Sequence, residues 1–86
     1  MEKIKSLTIL LYSELRDYGL TAYLKDLERL VVLVNNSDFK GIRKLKKSRV
    51  LNGGAGSLRD LDINDKVFQK KIKPIITDFF TELNKY

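Results

Sequence analysis

Residues 49–63 read Arg-Val-Leu-Asn-Gly-Gly-Ala-Gly-Ser-Leu-Arg-Asp-Leu-Asp-Ile, and this stretch decides the course of the chain. Three of the five glycines, Gly53, Gly54 and Gly56, lie here between a basic segment and the longest amphipathic pattern. Glycine takes positive φ angles without steric cost, so a cluster of glycines fixes an unusual backbone path rather than filling a core. We call residues 53–57 the glycine corner. Such connecting segments often carry function.

Before the corner, the spacing of apolar residues predicts a helical hairpin. The first helix covers residues 2–17 and ends at Gly19, which is a natural C-terminal cap. Thr21 is the expected N-cap of the second helix, and the short connection makes the two helices antiparallel neighbours. The second helix ends in the wholly apolar run Leu30–Val34. We interpret this run as helix, because the 3.6-residue pattern continues into it from Tyr23, although a buried strand is the alternative.

Two further helices are predicted around the corner. Residues 39–49 place Phe39, Ile42 and Leu45 on an apolar stripe and a row of basic residues on the opposite side. The last helix begins at Asn64 or Asp65 and runs to the end, with a kink rather than a break at Pro74. The sequence therefore predicts an all-α fold: a single domain over residues 1–86, built as an irregular bundle of about four helices with the glycine corner before the last one.

The segment Ser57-Leu58-Arg59-Asp60 has the spacing of a capping box and is expected to start one helical turn. Together with Asp62 and Asp65, Asp60 also invites a calcium interpretation. The spacing does not match a calcium-binding loop, so we favour capping roles for Asp60 and Asp65. The corner itself either cradles an anion with successive backbone N–H groups, assisted by Arg49 or Arg59, or is a plain chain reversal held by leucines.

Composition narrows the chemistry. The chain has no cysteine and no histidine, which removes disulfides, thiol nucleophiles, the commonest general base and the commonest metal ligand. No nucleophile, base and orienting group occur together, so we expect no enzyme, no metal and no cofactor. The longest apolar run has five residues and is far too short to span a bilayer. We expect a cytoplasmic protein without a membrane partner.

The net charge of +6 comes from one segment. Residues 40–49, the basic segment, contain six of the seventeen basic residues and no acidic residue, and the other eleven basic residues equal the eleven acidic ones in number. Such asymmetry points to an anionic partner, either an acidic protein surface or nucleic acid, although many charge runs are solvated helix faces. No aromatic residue is interleaved to stack on bases, which weighs against nucleic acid.

The stretch Asn52-Gly-Gly-Ala-Gly-Ser-Leu-Arg-Asp-Leu61 resembles the signature of a family of small, largely uncharacterised bacterial helical proteins. That signature reads Gly-Gly-Met-Gly-Ser, an apolar residue, usually asparagine, then aspartate and leucine. The match covers Gly53, Gly54, Gly56, Ser57, Leu58, Asp60 and Leu61. The chain departs from the signature at Ala55, where the family favours methionine, and at Arg59, where it favours asparagine.

Proteins of this kind resemble the immunity proteins of contact-dependent or polymorphic toxin systems. The resemblance implies a stoichiometric inhibitor that binds a cognate toxin domain, often a nuclease, and blocks it by occlusion. A small nucleic-acid-binding regulator is the alternative function. The oligomeric state is open, and a homodimer would bury Val31–Val34 or Phe79-Phe80. The residues predicted to bind the acidic partner are Lys40, Arg43, Lys44, Lys47, Arg49 and Arg59.

Overall fold

The amphipathic stripes in the sequence appear as helices in the computed structural model, which describes residues 2–86. These residues form five α-helices and no β-strand, with bounds α1 Glu2–Tyr18, α2 Leu24–Asn35, α3 Phe39–Lys46, α4 Arg49–Asn52 and α5 Lys66–Leu83. The all-α class and the irregular bundle are confirmed. The apolar run at the end of α2 is helical, so the strand alternative for Leu30–Val34 is wrong.

Helix α1 lies at the centre of the bundle and packs against both α2 and α5. Its inner face is fully buried and consists of Ile4, Thr8, Leu11 and Leu15. The one polar member of this face, Thr8, donates its hydroxyl to the Ile4 carbonyl at 2.6 Å. Because that hydroxyl is satisfied within its own helix, it can be buried without an unpaired polar group. The facing side chains of the two neighbours are Leu27, Leu30 and Val34 on α2 and Ile72, Ile76, Phe79 and Leu83 on α5.

The connection from α1 to α2 ends the first helix as predicted but begins the second differently. The N–H group of Leu20 donates to the Leu15 carbonyl at 2.9 Å, which is the bond that closes a helix ending in a glycine such as Gly19. Residues Thr21–Tyr23 then form a short 3-10 turn, and α2 starts after Tyr23 without a side-chain cap. The predicted N-cap role of Thr21 is therefore wrong, because the 3-10 turn supplies the entry into α2 instead.

The predicted third helix is divided into two. Asp38 caps α3 by accepting the Gly41 N–H at 2.9 Å, and Ile42 and Leu45 are buried as the stripe predicts. The helix stops at Lys46, and Ser48 caps a new turn by accepting the Leu51 N–H at 3.3 Å. A serine can compete for backbone N–H groups in this way, which explains why the basic segment does not form one continuous helix.

Helix α5 is a single element that passes through Pro74. Asp65 accepts the Phe68 N–H at 3.1 Å, which confirms its capping role; this bond, together with one from the Tyr18 hydroxyl, lowers the pKa of the Asp65 carboxyl. Phe79 and Phe80 are both buried in the core of the chain. These two side chains offer no apolar surface to a second copy of the chain. The prediction of a homodimer through Phe79-Phe80 is therefore wrong.

Glu82 lies near the C-terminal end of α5 and connects it to the N-terminal end of α1. Its side chain is mostly buried. Its two carboxylate oxygens lie 3.0 Å from the ammonium groups of Lys3 and Lys85. Hydrogen bonds from Lys3 and then Lys85 lower the pKa of Glu82 below its ordinary value of 4.5. A carboxyl whose pKa is lowered by folding stabilises the native state above its unfolded pKa, and this stabilisation disappears as the pH falls through the folded pKa.

We therefore expect Glu82→Gln to destabilise the protein at neutral pH and to have a much smaller effect at a pH below the folded pKa. The measurement is urea unfolding of both proteins from neutral to strongly acidic pH. The control is Glu2→Gln, which removes an exposed carboxylate at the start of α1 that forms no ion pair within residues 2–86. If the free energies of unfolding of Glu82→Gln and the parent differ by the same amount at every pH, this account is contradicted.

Candidate interaction surface

The glycine corner reverses the chain directly after α4. Gly54 and Gly56 have φ angles of 89° and 86°, values that side-chain-bearing residues rarely adopt. Gly53 has an ordinary φ of −100° and is needed for a different reason: a Cβ there would lie 2.5 Å from the Arg49 carbonyl oxygen. The corner is thus built partly from positive φ angles, as predicted, and partly from a close backbone contact.

The corner is tied to the rest of the protein by its backbone. The N–H groups of Leu58 and Arg59 donate to the carbonyls of Val50 and Leu51 at 2.8 and 3.0 Å. The N–H groups of Gly53 and Ser57 also bond within the chain, so four of the seven N–H groups of residues 53–59 are not free to bind an anion. Leu51 and Leu58 are fully buried. The geometry therefore supports the interpretation as a chain reversal held by leucines.

Tyr23 provides a tie that sequence reasoning missed. Its hydroxyl donates to the Gly56 carbonyl at 3.0 Å across 33 residues of chain, and its ring is buried against the core. The apolar pattern of α2 indicates that this ring points inward. No sequence signal indicates which group accepts the bond from the hydroxyl, because this contact depends on how the glycine corner packs beside the 3-10 turn.

The capping box predicted at the corner does not form. Residues 57–60 are a pair of turns, with the N–H of Asp60 donating to the Ser57 carbonyl at 3.2 Å, and no α-helix starts there. The Ser57 hydroxyl is buried and has no hydrogen-bond partner within residues 2–86. Asp60 is exposed rather than reaching back over the turn. The predicted capping roles of Ser57 and Asp60 are wrong, because the burial of Leu58 draws this segment inward.

The basic segment lies mostly at the surface. Its exposed members are the predicted contact residues Lys40, Arg43, Lys44, Lys47 and Arg49, whereas Lys46 is half-buried. Four ion pairs occur in residues 2–86, and none of them involves this segment. Its positive charge is therefore not neutralised by neighbouring carboxylates. Lys40, Arg43 and Lys44 lie on α3, Lys47 follows its end, and Arg49 opens α4.

Arg59 is exposed but has a different setting. Its guanidinium donates to the Asn52 side-chain oxygen at 3.3 Å and lies 5.8 Å from the centre of the Phe80 ring on α5. A guanidinium over an aromatic ring is attracted by the negative face of the ring. Arg59 therefore helps to pack the segment after the glycine corner against α5. The predicted contact residues on α3 do not take part in this contact.

A cleft between α2 and α3 adds a residue that sequence reasoning missed. The cleft has a volume of about 260 Å³ and is lined by Arg29, Leu33, Gly41, Lys44, Leu45 and Ser48. Arg29 comes from α2, outside the basic segment, yet it borders the same cleft as Lys44. Arg29 and Leu33 are four residues apart and so share a face of α2, but only the packing of the helices shows that this face meets α3.

The described part of the chain contains no cluster of three acidic, histidine or cysteine side chains that could hold a metal ion. Among its helices, none is long and apolar enough to cross a membrane. Comparisons with family models, curated proteins and solved structures gave no match to this chain.

Proposed function

We propose that this protein is an immunity-type inhibitor that binds an acidic surface of a cognate toxin domain in the cytoplasm and blocks that domain by occlusion. The observation that carries the proposal is the exposed basic segment, whose charges meet no carboxylate within residues 2–86. The resemblance of the glycine corner to a family similar to immunity proteins supplies the class of partner. Binding by occlusion requires no catalytic residue on this chain.

Electrostatic attraction gives the proposal a measurable signature. Charges at the edge of an interface mainly accelerate encounter, and salt screens them over about 8 Å at physiological ionic strength. We therefore expect association with the toxin domain to slow sharply as salt is added, with a smaller change in the dissociation rate.

The direct test reverses three charges at once, in the variant Arg43→Glu, Lys44→Glu and Lys47→Glu. We expect this variant to bind the toxin domain about thirtyfold more weakly, since each exposed charge pair contributes up to about 1 kcal/mol and reversal turns attraction into repulsion. The assay needs the cognate toxin domain, which we propose to seek as the variable C-terminal domain of a large secreted protein encoded immediately upstream. The measurement is the association and dissociation rate at several salt concentrations.

A control with the same net charge is available on α5. Lys66, Lys70 and Lys73 are exposed and form no ion pair within residues 2–86, so reversing all three changes the charge equally at another place. This control is expected to keep most of the affinity. If the variant of α3 and the parent bind with the same affinity and rate, the basic segment is not in the interface.

The alternative function, a nucleic-acid-binding regulator, draws on the same exposed charge. A salt titration against nonspecific DNA and RNA separates the two functions. A dissociation constant of about 10 μM or tighter at physiological salt would favour the regulator, and absence of binding would favour the toxin inhibitor. The molecular mass in solution shows whether the protein is a homodimer, for which Val31–Val34, with Val32 56 % exposed, is the remaining predicted surface.

A further inference from the structure

The cleft between α2 and α3 is lined by two leucines, Leu33 and Leu45, which we call the leucine floor, and by two cations. Leu45 on α3 is buried and Leu33 on α2 is half-buried. The opposite wall is backbone at Gly41, where a Cβ would lie only 2.7 Å from the Leu33 Cδ2 atom. The missing side chain lets the two helices approach closely and keeps the cleft lined by leucine.

Two cationic side chains border the cleft. Arg29 and Lys44 are exposed, come from different helices, and form no ion pair within residues 2–86. Two carboxylates bond to residues of the lining, and one of them is that of Asp26, which accepts the Ser48 hydroxyl at 3.2 Å. The Asp38 carboxylate is engaged with the N–H of Gly41 at the start of α3. Arg29 and Lys44 are therefore left without a carboxylate partner.

We propose that this cleft binds an acidic peptide segment of the partner, with one apolar side chain on the leucine floor and flanking carboxylates on Arg29 and Lys44. This inference rests on the proposed function and specifies the chemistry of the partner surface. Protein interfaces combine a buried apolar anchor with a charged rim, and the cleft offers both. A phosphate backbone would use the two cations but would leave the leucine floor without an apolar contact.

The test is a titration of the isotope-labelled protein, followed by the NMR signals of its backbone amides. The first probe is the acetylated peptide Asp-Glu-Leu-Leu-Glu-Asp, and the second has serine in place of both leucines. We expect the leucine peptide to shift the signals of Leu33, Gly41 and Leu45 and to bind about tenfold more tightly than the serine peptide. Equal affinities, or signal shifts confined to other helices, would overturn the proposal.

A charge variant tests the rim of the cleft separately. Arg29→Glu is expected to weaken binding of the leucine peptide about fivefold, because an attraction becomes a repulsion at an exposed position. Lys73→Glu is the matched control on α5 and is expected to bind like the parent. Both substitutions are at exposed positions, and an unchanged amide spectrum away from the substitution verifies the fold. Equal binding by Arg29→Glu and the parent would remove Arg29 from the site.

The third probe is a single-stranded RNA of twelve uridines. If it shifts the same amide signals and binds more tightly than the leucine peptide, the cleft is a nucleic-acid surface and the proposal fails. These failures are distinct from failure of the proposed function. Should the leucine peptide miss the cleft while the three charge reversals on α3 and after it still weaken toxin binding, only the present inference is overturned.

Discussion

Leu58→Ala is expected to lower the free energy of unfolding by about 3 kcal/mol, within the range for leucine-to-alanine changes in protein cores. Leu58 is fully buried and anchors the glycine corner, and its backbone N–H already bonds to Val50. Because the backbone is held on both sides, the site cannot collapse to fill the cavity. A chain of this length has about 4 to 13 kcal/mol of stability in total, so the loss is large.

The measurement is urea unfolding followed by far-ultraviolet circular dichroism. Leu61→Ala is the matched control, since Leu61 lies three residues away and is only half-buried; we expect it to cost about 1 kcal/mol. If the two substitutions have the same cost, then the corner is not anchored to the core through Leu58.

Gly53→Ala is expected to destabilise the protein by about 2 to 3 kcal/mol, within the range for forcing extra atoms into a packed site. The added Cβ would lie 2.5 Å from the Arg49 carbonyl oxygen and 2.6 Å from the Arg49 Cα, which are backbone atoms that cannot rotate away. The turn of α4 must therefore open, and with it the bonds that hold the corner.

Gly54→Ala provides the comparison, because its Cβ would meet no atom within 4 Å and only its φ angle of 89° opposes the change. A left-handed conformation costs a residue with a side chain about 1 kcal/mol. Thermal unfolding of both variants would show a decrease in melting temperature at least twice as large for Gly53→Ala. The reverse order would mean that backbone conformation, not crowding, sets the cost at this corner.

Hydrophobic periodicity was sufficient to predict α1, α2, α5 and most of the core, but not the division of the basic segment between α3 and α4. Most residues of the stripes through α1, α2 and α5 are buried, because one turn of helix brings residues three or four apart to the same face regardless of the partner. Leu10 and Tyr18, which the pattern also placed on the stripe of α1, are exposed. Two of the local signals were also sufficient: Gly19 ends α1 and Asp65 caps α5. These features depend on the next few residues of the chain and on little else.

Two of the errors arose where particular contacts override the pattern of the sequence. Ser57 and Asp60 have the spacing of a capping box, but burial of Leu58 turns the segment inward and leaves the Ser57 hydroxyl unpaired. Ser48 lies inside a run of basic residues whose pattern predicts one helix, but its hydroxyl both caps α4 and donates to Asp26 on α2. Local spacing contains no information about such a partner 22 residues away.

The sequence predicted which residues of the candidate surface are exposed, but not which helices stand beside them. The exposure of Lys40, Arg43 and Lys44 follows from their position opposite the stripe of Ile42 and Leu45 on one helix. Arg59 packs on Phe80, and Arg29 borders a cleft with Lys44, because α5 and α2 pass close by. A sequence pattern specifies which side of a helix faces water but not which other helix stands beside it.

The central position of α1 has a consequence for how the chain folds. Its contact with α2 joins neighbours in sequence, whereas its contact with α5 closes a loop through most of the polypeptide, as the bond from Tyr18 to Asp65 across 47 residues shows. Closing a longer loop loses more chain entropy, so the hairpin of α1 and α2 can form first and present a ready surface to α5. We therefore expect docking of the last helix to be the slow, long-range step of folding.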